Sequence, residues 1–377
     1  MEHRLRTRAA HLRGSSALVA LLLVVGGASM VTNAPASAST PSRTLQWVDQ
    51  NVTFQSGGTT IYATYRHPTN SATKVPGALL IAGSGPTDRN GNSSLESGNI
   101  NTLKTLADWF SSDGVATLRY DKLGSGKTGL GKYATDPNSI GISVFEQESR
   151  SALEFLAAQK DVNASELGVF GHSEGALFAL LLATGHAGPV PPIHAVGLLE
   201  PLSVRYLDLV TDQIDASLSA QVKSKAITKS LEKTVKGVLA KAIIQIRTKG
   251  TVAANLPYGL ASILNPADAL FLSQTDKYDP EVLAAQLAKH TEVFDTCSND
   301  DIQVSCKQVD HMFDGFIKSK ATLDFVYLTG VDHVLKVDAS KTGNDYTKNL
   351  PFSHYLKQQL AQFSAYGFKK PKDFGVG

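Results

Sequence analysis

Short runs that are apolar on both faces recur along this chain, and helical patterns fill the gaps between them. Residues 77–82 (GALLIA), 115–119 (VATLR), 167–170 (LGVF), 195–199 (AVGLL) and 323–328 (LDFVYL) are such runs, each bounded by turn residues. Residues 59–66 (TTIYATYR) add a β-branched and aromatic alternation. Runs apolar on both faces suit strands buried between two layers of helices. The helical patterns at 101–111, 144–159, 176–184 and 352–363 supply those layers. This alternation predicts an α/β fold with a mostly parallel central sheet and helices on both faces.

One stretch breaks the rhythm. Residues 202–290 carry helical patterns, at 204–218 and 222–247, and no convincing strand. They predict an all-helical insertion, a cap or lid, between two strands of the sheet. The chain then divides into 1–38 (leader), 39–201 (first part of the core), 202–290 (helical cap) and 291–377 (second part of the core), with 39–50 as a short lead-in. Lys223, Lys225, Lys229, Lys233, Lys236 and Lys241 fall between apolar positions of the cap, the pattern of a solvated helix face.

The leader reads as a secretory signal peptide. Arg4, Arg6, Arg8 and Arg13 form a positive start, 17–25 (ALVALLLVV) a short apolar core, and Ala36-Ser37-Ala38 a small-residue cleavage site. The predicted location is outside the cytoplasm. After the leader no run of apolar residues is long enough to span a bilayer, so stable membrane insertion of the mature chain is not expected. The net charge of +2 comes from that leader: without its four Arg and one Glu the remainder is −1. With no basic tract, nucleic acid is not an expected partner. Two cysteines, Cys297 and Cys306, make an even count in an oxidising compartment and predict one disulfide. Two thiols with no nearby His pair fall short of a zinc site, so no metal is expected.

Gly171-His172-Ser173-Glu174-Gly175 matches G-x-S-x-G, with a predicted strand immediately before it and a predicted helix immediately after. That context is what a nucleophile on a sharp strand-to-helix turn requires. An alcohol such as Ser173 needs a base within hydrogen-bond reach and a third group to orient that base. For a Ser…acid…His order the base must follow an acid, which leaves His311, His333 and His354. His311 and His354 fall in helical patterns, whereas His333 follows the last predicted strand by a short loop. Loops at the carboxyl ends of parallel strands are where such sheets present reactive groups, so His333 is the candidate base. The acid is expected after the strand at 293–296, where Asp295, Asp300 and Asp301 cluster; spacing alone does not separate Asp300 from Asp301. A disulfide there would hold the acid loop rigid. Stabilising a developing oxyanion takes two backbone N–H groups. Those of Glu174 and of Ser84 are the candidates, with Gly85 second to Ser84 because Pro86 has no N–H.

Residues 121–128 (DKLGSGKT) come close to a phosphate-binding loop but have Asp121 where its first glycine belongs. Gly129, Gly131 and Pro137 follow, so no helix is expected to start at Lys127 and aim its N-terminus at a phosphate. The segment reads as a glycine turn after a strand, with Asp121 bonding the turn backbone.

These motifs together resemble the α/β-hydrolase family, and within it bacterial serine hydrolases with GSGPTDRxGN, RYDKxGxGxT, GHSEG, an acid loop D-x-Q-V and a histidine loop like NHVLK. Here they stand at 83–92 (GSGPTDRNGN), 119–128 (RYDKLGSGKT), 171–175, 301–304 (DIQV) and 332–336 (DHVLK). The resemblance covers about residues 50–200 and 291–365. It implies Asp301 as the acid, 202–290 as the variable cap, and hydrolysis of carboxylic esters through an acyl-enzyme without metal or organic cofactor. Ala176 replaces a usual glycine, and Asp332 a usual asparagine whose exchange adds a negative neighbour to His333. A small-molecule ester or acyl compound is the implied substrate; oligomeric state is not implied. A peptidase of the proline-iminopeptidase type would use the same triad on amides and would need cap acids for a free amine. Asp208, Asp212 and Asp215 lie near one helix face and are the candidates. A catalytically inactive binding protein on this scaffold is the alternative from another class.

Overall fold

A computed structural model describes residues 45–369. The leader and its cleavage site lie outside the described residues. Eight strands form one sheet in the order β1-β2-β4-β3-β5-β6-β7-β8. They are β1 Trp47–Ser56, β2 Thr59–Pro68, β3 Val75–Ile81, β4 Ala116–Tyr120, β5 Val162–His172, β6 Ala195–Leu199, β7 Glu292–Ser298 and β8 Thr322–Leu328. The β1–β2 and β2–β4 pairs are antiparallel, and every pair from β4 to β8 is parallel. Strand β1 was not expected. Its sequence, WVDQNVTFQS, is polar, and most of its residues are exposed, as suits the outer strand of a sheet edge.

The helices are α1 Thr102–Ser112, α2 Ile142–Ala157, α3 Glu174–Ala183, α4 Tyr206–Lys223, α5 Lys229–Lys249, α6 Ala269–Thr275, α7 Pro280–Ala284, α8 Cys306–Val309, α9 Phe313–Ser319 and α10 His354–Ser364. Residues of α2, α3, α7 and α9 pack with one face of the sheet around Leu79, Val169 and Val293. Helices α1 and α10 pack with the other around Leu80, Phe170 and Phe294. Alternate residues of one strand thus enter opposite cores, which is why Leu79 and Leu80 of β3, Val169 and Phe170 of β5, and Val293 and Phe294 of β7 are apolar in succession. Helix α3 follows the same logic: Glu174 to Leu182 are all buried, so it has no polar face to show.

Between β6 and β7 the described residues form helices and short 3₁₀ turns and no strand. Helices α4 and α5 bury Leu207, Ile214 and Leu218 against Val235, Leu239, Ile243 and Ile246, a core separate from those of the sheet. The second helical pattern of this region was expected to start at Val222. It starts at Lys229, because the chain turns at Ser224–Thr228 and the Thr228 hydroxyl caps α5 by accepting from the Leu231 N–H.

Candidate active site

The carboxyl ends of β3, β5, β7 and β8 open toward one cavity of about 290 Å³, whose wall includes Ser84, His172, Ser173, Gln303, His333 and Tyr346. Ser173 sits between β5 and α3 with φ 55° and ψ −122°, a conformation an L-residue adopts only when its surroundings impose it. The backbone is pinned there: the Ser173 N–H donates to the Leu199 carbonyl at 3.0 Å, and the Ser173 carbonyl accepts from the Leu202 N–H at 3.0 Å. The flanking glycines are required by packing. A Cβ on Gly171 would stand 2.1 Å from the Gly175 backbone, and one on Gly175 2.3 Å from the Ile81 carbonyl oxygen of β3. Neither has a positive φ, so what they provide is close approach, not conformational freedom.

His333 follows β8, and its Nδ1 is 2.7 Å from Oδ2 of Asp301, with both side chains almost wholly buried. The other oxygen, Oδ1, accepts the N–H groups of Gln303 at 2.6 Å and Val304 at 3.0 Å. Burial works to raise the Asp301 carboxyl, but the charge and hydrogen bond of His333 and the two N–H donors outweigh it and hold it below the usual range. Asp300, left open by spacing, turns the other way and pairs with Lys341. Asp295 is fully buried within β7. Cys297 and Cys306 are bonded, with Cα atoms 5.1 Å apart, and close the loop that carries Asp301. Ser298 Oγ donates to the Val331 carbonyl, which joins that loop to the one carrying His333.

Ser84 lies in the same cavity wall as Ser173. Its loop, the GSGPTDRNGN motif, is held by side chains reaching backbone. Asp88 Oδ1 accepts the N–H groups of Asn90 and Asn92, and Asn92 Oδ1 those of Ile100 and Asn101. Asp121 does bond the turn backbone, accepting the Lys127 N–H at 2.8 Å, and also takes Arg89 through Nε at 3.0 Å and Nη2 at 2.7 Å. The near-miss phosphate loop is therefore a clamp on the Ser84 loop, and Arg89 is its other jaw. Lys122 Nζ donates to the Gly83 carbonyl and lies 3.6 Å from Glu174 Oε1.

Three neighbours of the site had no role in the sequence reading. Glu200, next after β6 with φ 44°, is fully buried beside Asp301. Its carboxyl accepts the Thr296 hydroxyl at 3.2 Å and the Ser298 N–H at 3.0 Å. Burial, and then the charge of Asp301, push it well above the usual carboxylate range. His172 places Nε2 2.7 Å from the His333 carbonyl oxygen. Burial, with the charge of His333, lowers His172 to about 3. It is therefore neutral, and because a carbonyl only accepts, its proton is on Nε2. Its place inside the G-x-S-x-G motif was a signal passed over. Tyr206 of α4 lines one small cavity together with Glu174 and Ser173, so the helical insert lies beside the turn that carries Ser173. Asp332, expected as a negative neighbour of His333, accepts the Lys336 N–H of its own loop; burial raises it to about 6, and the charge of His333 works against that rise.

The three insert acids are engaged. Asp208 pairs with Arg247 at 2.7 Å and Asp215 with Lys236 at 3.4 Å, while Asp212 accepts from Gln308 at 2.8 Å. No group of three or more His, Cys, Asp or Glu side chains among the described residues is placed to hold a metal ion.

No protein-family model matches the chain, and no curated protein matches it in sequence. Solved structures do. An esterase of Pyrococcus furiosus is similar over 86% of this chain and 92% of its own, with TM-score 0.51 and 14% identity. A fungal esterase of Rhizomucor miehei gives 0.51 at 13% identity, over 86% of this chain and 85% of that one. An acylaminoacyl peptidase of Pyrococcus horikoshii gives 0.54 at 12% identity over 87% of this chain, which spans 43% of that longer chain. This is the α/β-hydrolase fold. In that fold Ser173 stands at the strand-to-helix turn after β5, Asp301 after β7 and His333 after β8.

Proposed function

We propose that the chain is an exported serine hydrolase that cleaves carboxylic esters with Ser173, His333 and Asp301. The observation that carries this reading is the 2.7 Å bond from His333 Nδ1 to the buried Asp301, with His333 and Ser173 in the wall of one cavity. Asp301 holds the proton of His333 on Nδ1, which leaves Nε2 to act as base. Ser173 Oγ attacks the acyl carbon as His333 takes its proton. The N–H groups of Ser84 and Glu174 bind the oxyanion, Glu174 from the first turn of α3. His333 then returns the proton to the departing alkoxide, and an acyl-Ser173 ester remains. Water attacks that ester with the same base, releasing the carboxylic acid and restoring Ser173.

Export rests on the leader of the sequence. The disulfide fits an oxidising compartment, and no helix of the described residues is long and apolar enough to cross a membrane. The ester is favoured over a peptide with a free amine because Asp208, Asp212 and Asp215 are already engaged, two with cations and one with an amide.

The test is covalent labelling of the full chain by a fluorophosphonate together with turnover of p-nitrophenyl acetate, each repeated on Ser173→Ala. Labelling and turnover are expected in the native chain, and Ser173→Ala should lose at least about 10⁴-fold in rate. A folded native chain that neither labels nor turns over any ester is a binding protein. Labelling without ester turnover redirects the reading to amides.

A further inference from the structure

Two cavities meet at Ser173, and the chemistry assigns them different halves of the substrate. Both include Ser84 and Ser173 in their walls, so a carbonyl attacked by Ser173 would lie where they join. The leaving oxygen must receive its proton from His333. His333 lines the cavity of about 290 Å³ and does not line the second, of about 50 Å³. The alcohol therefore leaves through the larger chamber, and the acyl chain occupies the smaller one.

The smaller chamber is closed by α4. Tyr206, Leu209, Val210 and Gln213 come from successive turns of that helix, and Leu202 comes from the segment before it. Leu209 of α4 is buried in the core against the sheet, which holds α4 beside the turn that carries Ser173. A water molecule needs about 10–15 Å³ on the same measure, so this chamber has room for roughly four such atoms. An acetyl to butyryl chain fits that space, and an octanoyl chain does not. The wall of the larger chamber mixes Thr87, Ser93, Glu96 and Tyr346, which offer hydroxyl and carboxylate partners to a leaving group, with apolar Leu95 and Ile100.

We propose that this site takes esters of short acids, two to four carbons long, with a larger polar alcohol, and that α4 sets the limit on acyl length. The proposal rests on the serine hydrolase reading and adds to it the substrate class and the element that selects it.

The experiment compares p-nitrophenyl acetate, butyrate and octanoate, which share one leaving group, on the full native chain and on Val210→Ala and Leu209→Ala. Val210 is only half-buried, so its variant guards against loss of folding, and circular dichroism checks both. In the native chain kcat/KM for acetate or butyrate should exceed that for octanoate by about 20-fold or more, as expected when several methylenes lack a pocket. Either variant should raise octanoate relative to acetate by about 5-fold. Octanoate turned over as well as acetate by the native chain overturns the proposal and leaves the hydrolase reading standing. So does an unchanged ratio in both folded variants. Absence of both labelling and turnover for every ester overturns the hydrolase reading, and the proposal with it.

Discussion

The sheet and the helical insert are built by different means. The sheet buries apolar residues on both faces, and two acids packed against it are pushed up by burial. Glu148 of α2 and Glu200 after β6 are both raised by burial, and each accepts a backbone N–H, Glu148 from Leu123 and Glu200 from Ser298. The insert has one apolar seam between α4 and α5 and keeps its charge. Asp276, just after α6, is almost fully buried and binds Arg205 at 2.6 Å and Arg247 at 2.8 Å, while accepting the Leu207 N–H at 2.8 Å. Hydrophobic burial is non-directional, and an ion pair requires a geometry. A sheet held by burial gives Ser173, Asp301 and His333 a fixed frame. An insert with its own apolar seam, joined by directed contacts at Asp276, can change the wall it presents to substrate without changing that frame. On this division chemistry belongs to the strand ends and selectivity to α4.

The sharpest way to break that division is at the acid. Asp301→Asn keeps an oxygen for the Gln303 and Val304 N–H groups but cannot hold the proton of His333 on Nδ1. We expect kcat/KM on p-nitrophenyl acetate to fall by about 10⁴-fold, because the histidine is left in the wrong tautomer. The acetate-to-octanoate ratio should stay as in the native chain. A loss under about 10-fold would transfer the role to Glu200, the other carboxyl at this corner.

Much of the sheet side was legible because its signals are local. Strands β3 and β6 are runs of apolar residues, and the turn at Ser173 announces itself by a strand before it and a helix after. What escaped was set by contacts distant in sequence. Glu200 looks like a polar residue ending a strand, and its meaning comes from Asp301, 101 positions later, folding onto it. The acid itself was ambiguous between Asp300 and Asp301 by spacing, because adjacent loop residues face opposite ways. The family resemblance pointed to Asp301, and Asp301 is the one bonded to His333. Strand β1 escaped for another reason: with most of its residues exposed at the edge, it is under no demand for apolar alternation. In the insert the lysines read as a solvated face, and Lys223, Lys225, Lys229, Lys233 and Lys241 are indeed exposed. Lys236 departs from this by pairing with Asp215 and Glu232.

The two regions should also answer differently to pH. Glu148 of α2 is raised from 4.5 to about 8, chiefly by burial. Between those values the folded chain holds a proton that the unfolded chain has released, so raising pH favours unfolding. The contribution is whole below the unfolded value and is lost as pH climbs to the folded one. From pH 5 to pH 8 it amounts to about 3 kcal/mol. Glu148→Gln has no proton to lose and keeps an oxygen for the Leu123 N–H. Urea unfolding of the native chain should therefore weaken more steeply from pH 5 to pH 8 than that of the variant. Equal slopes would mean that the charge of Glu148 is accommodated in the folded sheet, and the contrast with the insert would shrink.

The smallest expected effect falls on the insert alone. Asp276→Ala leaves Arg205 and Arg247 facing each other without their shared carboxylate and strips the Leu207 N–H of its acceptor. Removing one partner of a fully buried pair costs about 3–5 kcal/mol, but these arginines are part-exposed and water compensates them, so about 2 kcal/mol is expected. The loss should be local. Amides of α4 and α5 should exchange faster with deuterium, while those of β5 and α3 keep their native protection. Because α4 walls the acyl chamber, the variant should also accept octanoate more readily, without the fall in acetate turnover that Asp301→Asn produces. Uniform loss of protection across sheet and insert would show that the two fold as one cooperative unit, and the separation of chemistry from selectivity would then be one of position and not of stability.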